Sequence, residues 1–518
     1  MEFISILNDV LGPVMRGPSS SHTAGSYQIG RTARSLLGDE PASATFTFDP
    51  AGSYAQTYRQ QGVDLALTVG LMGWPITDSR FDRALAIARK SGMDVSFRIE
   101  HLEKADHPNT VRIFVISRSG GRLEATAKST GGGGFQFTEV DGHPVDIKGK
   151  AFETVVVAGR KAAPRLSGIM AGAGRDLERP FRSGVRNEVL LSWRKDAPAG
   201  ADVLSALRSV PGVMSVRAAA PVFLIRKGEP LFLSAEEMVR TACRKRLSLG
   251  EVALLYESRL LGLSEDEVLS EILRRYGIMK ASVERGMRSQ GLAMQLLRPS
   301  AGRVLAAERL GKTAVGGLHT RAAARAMAAM HVSNSAGIVC AAPTGGAAGT
   351  LAGVVVTLSE EKRTGERRTA MMLLAASAVG LVVARRATFA AEVAGCQVEI
   401  GAAGAMAAAA VVEFAGGSAG QAADAAAISF QNTMGSVCDL VQGMCEIPCH
   451  TRNAVAASGA FVCADLILGG YRNPIPLDET IDAVYDSGKM LPAELRCTAR
   501  GGIALAPSAL ALRNLRKG

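Results

Sequence analysis

The sequence predicts an α/β N-terminal domain over residues 1–150, a small α+β middle domain over 151–232 and an all-α C-terminal domain over 233–518. Three observations predict it. In the first 150 residues, period-two strand patterns alternate with helical ones. Residues 151–232 hold short strand-like runs around one short helix. From about residue 233 the pattern turns helical and stays so, rich in Ala and Gly.

In order along the chain, residues 13–28 read PVMRGPSSSHTAGSYQ, and a helix is expected from about Ala24. Hydroxyls and free N–H groups at a helix start form an anion site, which suits a substrate carboxylate. A plain Ser/Thr cap with a surface His explains the residues equally well. Ala44–Phe48 and Val111–Ser117 are expected strands, and 54–70 a helix. The glycines of 131–134 allow close approach of a ligand or another element, or form a flexible loop.

In the middle unit, Val189–Trp193, Val213–Val216 and Val222–Ile225 are expected strands, and Asp202–Val210 a helix ended by Pro211-Gly212. This β-α-β-β order is compatible with a regulatory ligand-binding module of ACT-like type, a fold-level reading only.

In the helical part, Ser234 with Glu237 and Ser264 with Glu267 read as capping boxes. Val268, Ile272, Tyr276, Met279 and Val283 trace one helix face. Residues 333–358 and 370–384 mimic membrane spans. The first holds Pro343 and several glycines, and the second is shorter than the ~20 residues a span needs. Both read as buried core helices, and no membrane association is expected.

Net charge is +11, from 59 Lys and Arg against 48 Asp and Glu, and it is scattered. There is no stripe of basic and aromatic residues, which argues against a nucleic-acid partner. The first residues lack the basic and apolar regions of a secretory leader, so a cytoplasmic location is expected. Eight unevenly spaced cysteines do not form a disulfide framework, and their thiols are expected free or metal-bound.

The densest chemistry lies in residues 431–456, QNTMGSVCDLVQGMCEIPCHTRNAVA, with Cys438, Cys445 and Cys449 among Asp439, Glu446, His450 and Arg452. A polar loop on a buried scaffold often carries function. Buried cysteines also serve as small hydrophobes, and Cys243, Cys463 and Cys497, with no motif around them, are read as structural. The spacing of Cys438, Cys445, Cys449 and His450 does not match common zinc sites.

Several motifs resemble one family. Gly17-Pro18-Ser19-Ser20-Ser21-His22-Thr23 looks like the signature of the β portion of iron–sulfur-dependent L-serine dehydratases. Ala342-Pro343-Thr344-Gly345-Gly346-Ala347-Ala348-Gly349 is similar to its APTNGACG loop, and Gly395-Cys396-Gln397-Val398-Glu399-Ile400-Gly401 to its GCQxE(V/I)G motif. Cys438-Asp439, Gly443 and the run Pro448–Ala454 resemble TCDPVxG…PCIERNA, and Arg500-Gly501-Gly502 its terminal RGG.

The resemblance implies a β part followed by an α part, with 233–518 the catalytic domain. It implies β-elimination of L-serine to pyruvate and ammonia without pyridoxal phosphate, and a [4Fe–4S] cluster acting as Lewis acid. Catalytic roles are implied for His22, Asp439 and Cys449; His450, which replaces an apolar residue of the family motif, is a further catalytic candidate. Substrate contacts are implied for Ser19, Ser20, Ser21, Thr23, Thr344, Arg452 and Asn453. A homodimer acting on a small amino acid is expected.

The departures are specific. Ala348 and Gly404 stand where the family has cluster cysteines, and only Cys396 matches a ligand position. Gln61 replaces a histidine, and the family's tail cysteine is missing after Gly502. Cys340 and Cys445 are the candidates to rebuild a three-cysteine site with Cys396. The alternatives are a cluster-free relative working by acid–base chemistry on another small amino or hydroxy acid, or a non-catalytic amino-acid sensor.

Overall fold

The computed structural model describes residues 3–184 and 187–515. The N-terminal unit is a six-stranded sheet in the order Asp94–Ile99, Pro41–Phe48, Thr110–Ser117, Arg122–Gly131, Gly134–Val140, His143–Ile147. The first pair is parallel and the rest antiparallel. Alternation puts Val111, Ile113 and Val115 of one strand, and Leu123, Ala125 and Ala127 of the next, into one core. The expected helix over 54–70 is two, Ser53–Thr57 and Val63–Leu71, because the chain turns at Gly62 with φ +68°. The glycine run is a hairpin turn between strands. At Gly131 a Cβ would lie 2.8 Å from Ala390 N, so the sheet tip seats directly on the C-terminal unit.

The middle unit is an antiparallel sheet in the order Val213–Ala219, Phe152–Gly159, Glu188–Lys195, Phe181–Ser183. With helices Ala163–Ala171 and Ala201–Arg208, its chain order is β-α-β-β-α-β. The expected strand at Val222–Ile225 does not form. Val222 and Phe223 instead pack on the edge of the N-terminal core, with both N–H groups donating to Gly149 O. Phe152–Gly159 went unpredicted because it is buried on both faces and shows no alternation.

The C-terminal unit is built of helices. Leu318–Asn334, Ala348–Glu361, Glu366–Arg386, Ile400–Ala415, Ala419–Gln431 and Cys449–Leu468 share one core rich in Ala and Val. Among the described residues, two helical stretches are long and apolar enough to cross a membrane, and both are mostly buried against the rest of the fold. Residues 333–358 are not one helix but contain the strand Ile338–Cys340 and the start of Ala348–Glu361.

The first residues belong to this helical core rather than to the sheet. Ile6, Leu7, Val10 and Leu11 are buried in it. The buried Glu257 carboxylate accepts from Ser5 Oγ, Ile6 N and Leu7 N at 2.5, 2.8 and 2.9 Å. Strand Val14–Arg16 then pairs antiparallel with Ile338–Cys340. This stitching delivers residues 19–24 to the face of the helical unit.

Candidate active site

The serine-rich run forms one wide helical turn, Ser20–Ala24, capped by Ser19, whose side chain accepts from His22 N at 3.2 Å. His22 is fully buried. Its Nε2 lies 3.1 Å from Ser53 Oγ, and that hydroxyl donates to Cys497 O at 3.0 Å. With the Ser53 proton committed to Cys497, Nε2 carries the ring hydrogen and Nδ1 is the acceptor. Nδ1 faces Ser21 Oγ at 3.0 Å and Ser19 Oγ at 3.3 Å. Burial pushes His22 down to about 3, so the imidazole is neutral.

Two carboxyls approach from the helical unit. Glu392 is buried; Oε1 accepts from Asn109 Nδ2 at 2.6 Å and Oε2 lies 3.3 Å from Ser21 Oγ. Burial pushes it up to about 8, so it is largely protonated at neutral pH. Donor atoms of His22, Glu392 and Cys497 lie within 4.8 Å of one another. Glu399 accepts from Thr344 Oγ1 at 2.6 Å, and burial pushes it up to about 6. Gly346 leaves room for it, since a Cβ there would stand 2.7 Å from Glu399 Oε1.

Between these carboxyls lie five buried thiols in one cluster: Cys396, Cys438, Cys445, Cys449 and Cys497. Hydrogen bonding to Cys396 and Cys497, then burial, holds the Cys438 thiol well above its ordinary range. Cys445 pairs in the same way with Cys449. Gln61 bridges two of them, with Cys445 Sγ donating to Oε1 at 3.7 Å and Nε2 reaching Cys497 Sγ at 3.9 Å. Arg452 closes one edge. It ion-pairs with Asp439 at 3.0 Å and donates to Val437 O at 2.7 Å and Cys396 Sγ at 3.7 Å.

The residues expected from sequence fall into three groups. Ser19, Ser21, His22, Thr344, Asp439, Cys396, Cys445, Cys449 and Arg452 belong to the network just described. Ser20 Oγ is buried with no hydrogen-bond partner among the described residues, and its backbone lies against Gly345. Thr23 and Asn453 are committed to the scaffold. Thr23 Oγ1 donates to Gln61 O at 2.8 Å. Asn453 donates to Gly346 O and Cys449 O and accepts from Thr350 N. His450 lies elsewhere, with Asn334 at 3.0 Å from Nε2 and its ring against His331, and burial pushes it down to about 3. Cys340 also stands apart, in the helical core, with burial pushing it up to about 11.

Three site residues escaped the sequence reading. Cys497 was expected to be only structural, yet it sits in the thiol cluster. Glu392 is a single acid in the apolar run Phe389–Ala394, and that isolation was the available signal. Ser53 had no local signal.

The comparisons agree with this assembly from two parts. A family model described as "Serine dehydratase alpha chain" matches residues 233–504. The chain is 35% identical over 278 residues to the probable L-serine dehydratase alpha chain of Bacillus subtilis, covering 54% of this chain and 93% of that protein. It is 36% identical over 225 residues to the probable beta chain of the same organism, covering 42% of this chain and 98% of that protein. It is 32% identical over 272 residues to the L-serine dehydratase alpha chain of Peptoniphilus asaccharolyticus, covering 52% of this chain and 93% of that protein.

Proposed function

The chain belongs to the iron–sulfur L-serine dehydratase family, and from that premise we propose that it performs a β-elimination on L-serine or a close β-substituted amino acid. The products are a 2-oxo acid and ammonia. The observation that carries the reading is the Glu392–Ser21–His22 chain, which joins a protonated carboxyl to a neutral imidazole through one hydroxyl.

Elimination needs a base for the α-proton and an acid for the departing hydroxide. Glu392 keeps its proton at neutral pH and can give it to the leaving oxygen. His22 is uncharged and can take up the α-proton. Each transfer supports the other: as Glu392 becomes negative, it raises the proton affinity of the imidazole linked to it through Ser21. The pair stays neutral overall, which suits a buried site. Transfer back along Ser21 resets it. The released enamine tautomerises and is hydrolysed by water to the 2-oxo acid and ammonia. Arg452, oriented by Asp439, offers a fork for the substrate carboxylate, and the unpartnered Ser20 hydroxyl a further hydrogen bond.

The donor set does not suit the family's cubane. Ala348 and Gly404 bring no donor atom, and a side chain at Gly404 would point at Ser429 Oγ and Ala456 rather than at the thiols. Cys340 is outside the group. The remaining thiols, Cys438, Cys445, Cys449 and Cys497, stand at other positions than the family's cluster cysteines. No step above is routed through a cluster. The β-α-β-β-α-β order of the middle unit supports reading it as an ACT-like regulatory module.

The test is incubation of the purified full-length chain with L-serine and a panel of β-substituted amino acids, measuring 2-oxo acid and ammonia together. Equal release of both from at least one substrate is expected. Absence of both across the panel sinks the reading.

A further inference from the structure

We propose that Cys396, Cys438 and Glu399 form a site for a single thiophilic divalent cation of zinc type, built from a donor set that differs from the cubane positions. The three donor atoms lie within 4.8 Å of one another. Ligands at 2.0–2.3 Å around a tetrahedral ion stand about 3.3–3.8 Å apart, so one ion can span this group with small adjustments. Two soft sulfurs and one carboxylate oxygen suit such an ion. Cys497 belongs to the same buried thiol cluster, and a water completes the tetrahedron.

The surroundings are built as metal ligands require. The Glu399 carboxylate is fixed by Thr344 Oγ1 and has its space reserved by Gly346. Cys396 Sγ accepts from Arg452, which Asp439 and Val437 O hold in place. Such outer partners orient ligands and tune them. Charge is largely offset. Two thiolates and a carboxylate carry three negative charges and a divalent ion cancels two, while Arg452, itself ion-paired with Asp439, donates to Cys396 Sγ. Loading releases the two thiol protons to solvent, with no redox change.

This inference does not depend on which substrate is turned over, and its readout is spectroscopic. Full-length protein is assayed for metals and acid-labile sulfide, then stripped with chelator and titrated with Co2+. About one Co2+ per chain is expected, with visible bands of tetrahedral cobalt and a thiolate-to-cobalt charge-transfer band in the near ultraviolet. Cys438→Ser should lose about half the charge-transfer intensity and bind at least about tenfold more weakly. Glu399→Gln should bind more weakly with its charge-transfer intensity kept. Cys340→Ser, outside the group, should match the parent. Iron with equal acid-labile sulfide, absence of cobalt bands, or bands indifferent to both Cys438→Ser and Glu399→Gln would each overturn the proposal. The Glu399 variant decides the matter if Cys438→Ser fails to fold.

Discussion

Ser21 and Glu392, 371 positions apart in sequence, meet through a hydrogen bond of 3.3 Å between the serine hydroxyl and the carboxyl Oε2. The contact links the sheet-bearing unit to the helical unit, and it couples the two titrating groups assigned to the chemistry.

Glu392→Gln removes the transferable proton but keeps the shape and the Asn109 contact. The expected result is a fall in kcat of roughly 10²–10⁴ with KM little changed, read from initial rates of 2-oxo acid release. An unchanged kcat would remove Glu392 from the mechanism.

The pH dependence of stability follows from two opposite shifts. Glu392 is raised to about 8, so its contribution is full below its unfolded value near 4.5 and is lost as pH climbs through 8. His22 is lowered to about 3, so its contribution is full above about 6.5 and is lost as pH falls toward 3. Urea titrations should show a maximum at mildly acidic to neutral pH, with each group changing the slope by up to about 1.4 kcal/mol per pH unit. Glu392→Gln should flatten the alkaline side.

Arg452→Lys replaces a planar fork by a point charge. KM for the amino acid should rise roughly tenfold to a hundredfold, with a smaller change in kcat. Asp439→Asn should move KM the same way by releasing Arg452, and steady-state kinetics on both variants check this.

Gly346→Ala places a methyl 2.7 Å from Glu399 Oε1 without demanding an unusual backbone angle. The carboxylate must shift off Thr344. Co2+ affinity should fall severalfold while the melting temperature changes by only a few degrees, measured on one preparation.

Glu257→Ala strips the acceptor from Ile6 N and Leu7 N inside the core. The expected loss of stability is about 2–4 kcal/mol by urea unfolding. Activity should fall with it, because this segment leads into the Ser19–Thr23 turn.

Much of this was legible in the residues. The small, apolar pattern after 233 read as helix and is mostly helix, with the short strand Ile338–Cys340 as an exception, and Ala44–Phe48 read as strand. The Ser19–Thr23 and Cys438–Arg452 segments declared themselves by polar density in apolar surroundings. What failed depended on distance in space. Nothing near Ser53 says that it hydrogen-bonds His22, and nothing near Cys497 says that it meets Cys438. His450 shows the reverse case: it is adjacent to Cys449 in sequence, yet its ring packs on His331. Residues 222–225 are apolar because they cover the sheet edge, which sequence alone cannot tell from joining it.

The pairing of Val14–Arg16 with Ile338–Cys340 has a further consequence. Here one polypeptide tethers the two edges, and a tether of this kind supplies an effective concentration on the order of millimolar. Dilution therefore leaves this seam intact. Cutting the chain in the 220–232 stretch should turn a dilution-proof protein into one whose activity vanishes as its halves drift apart.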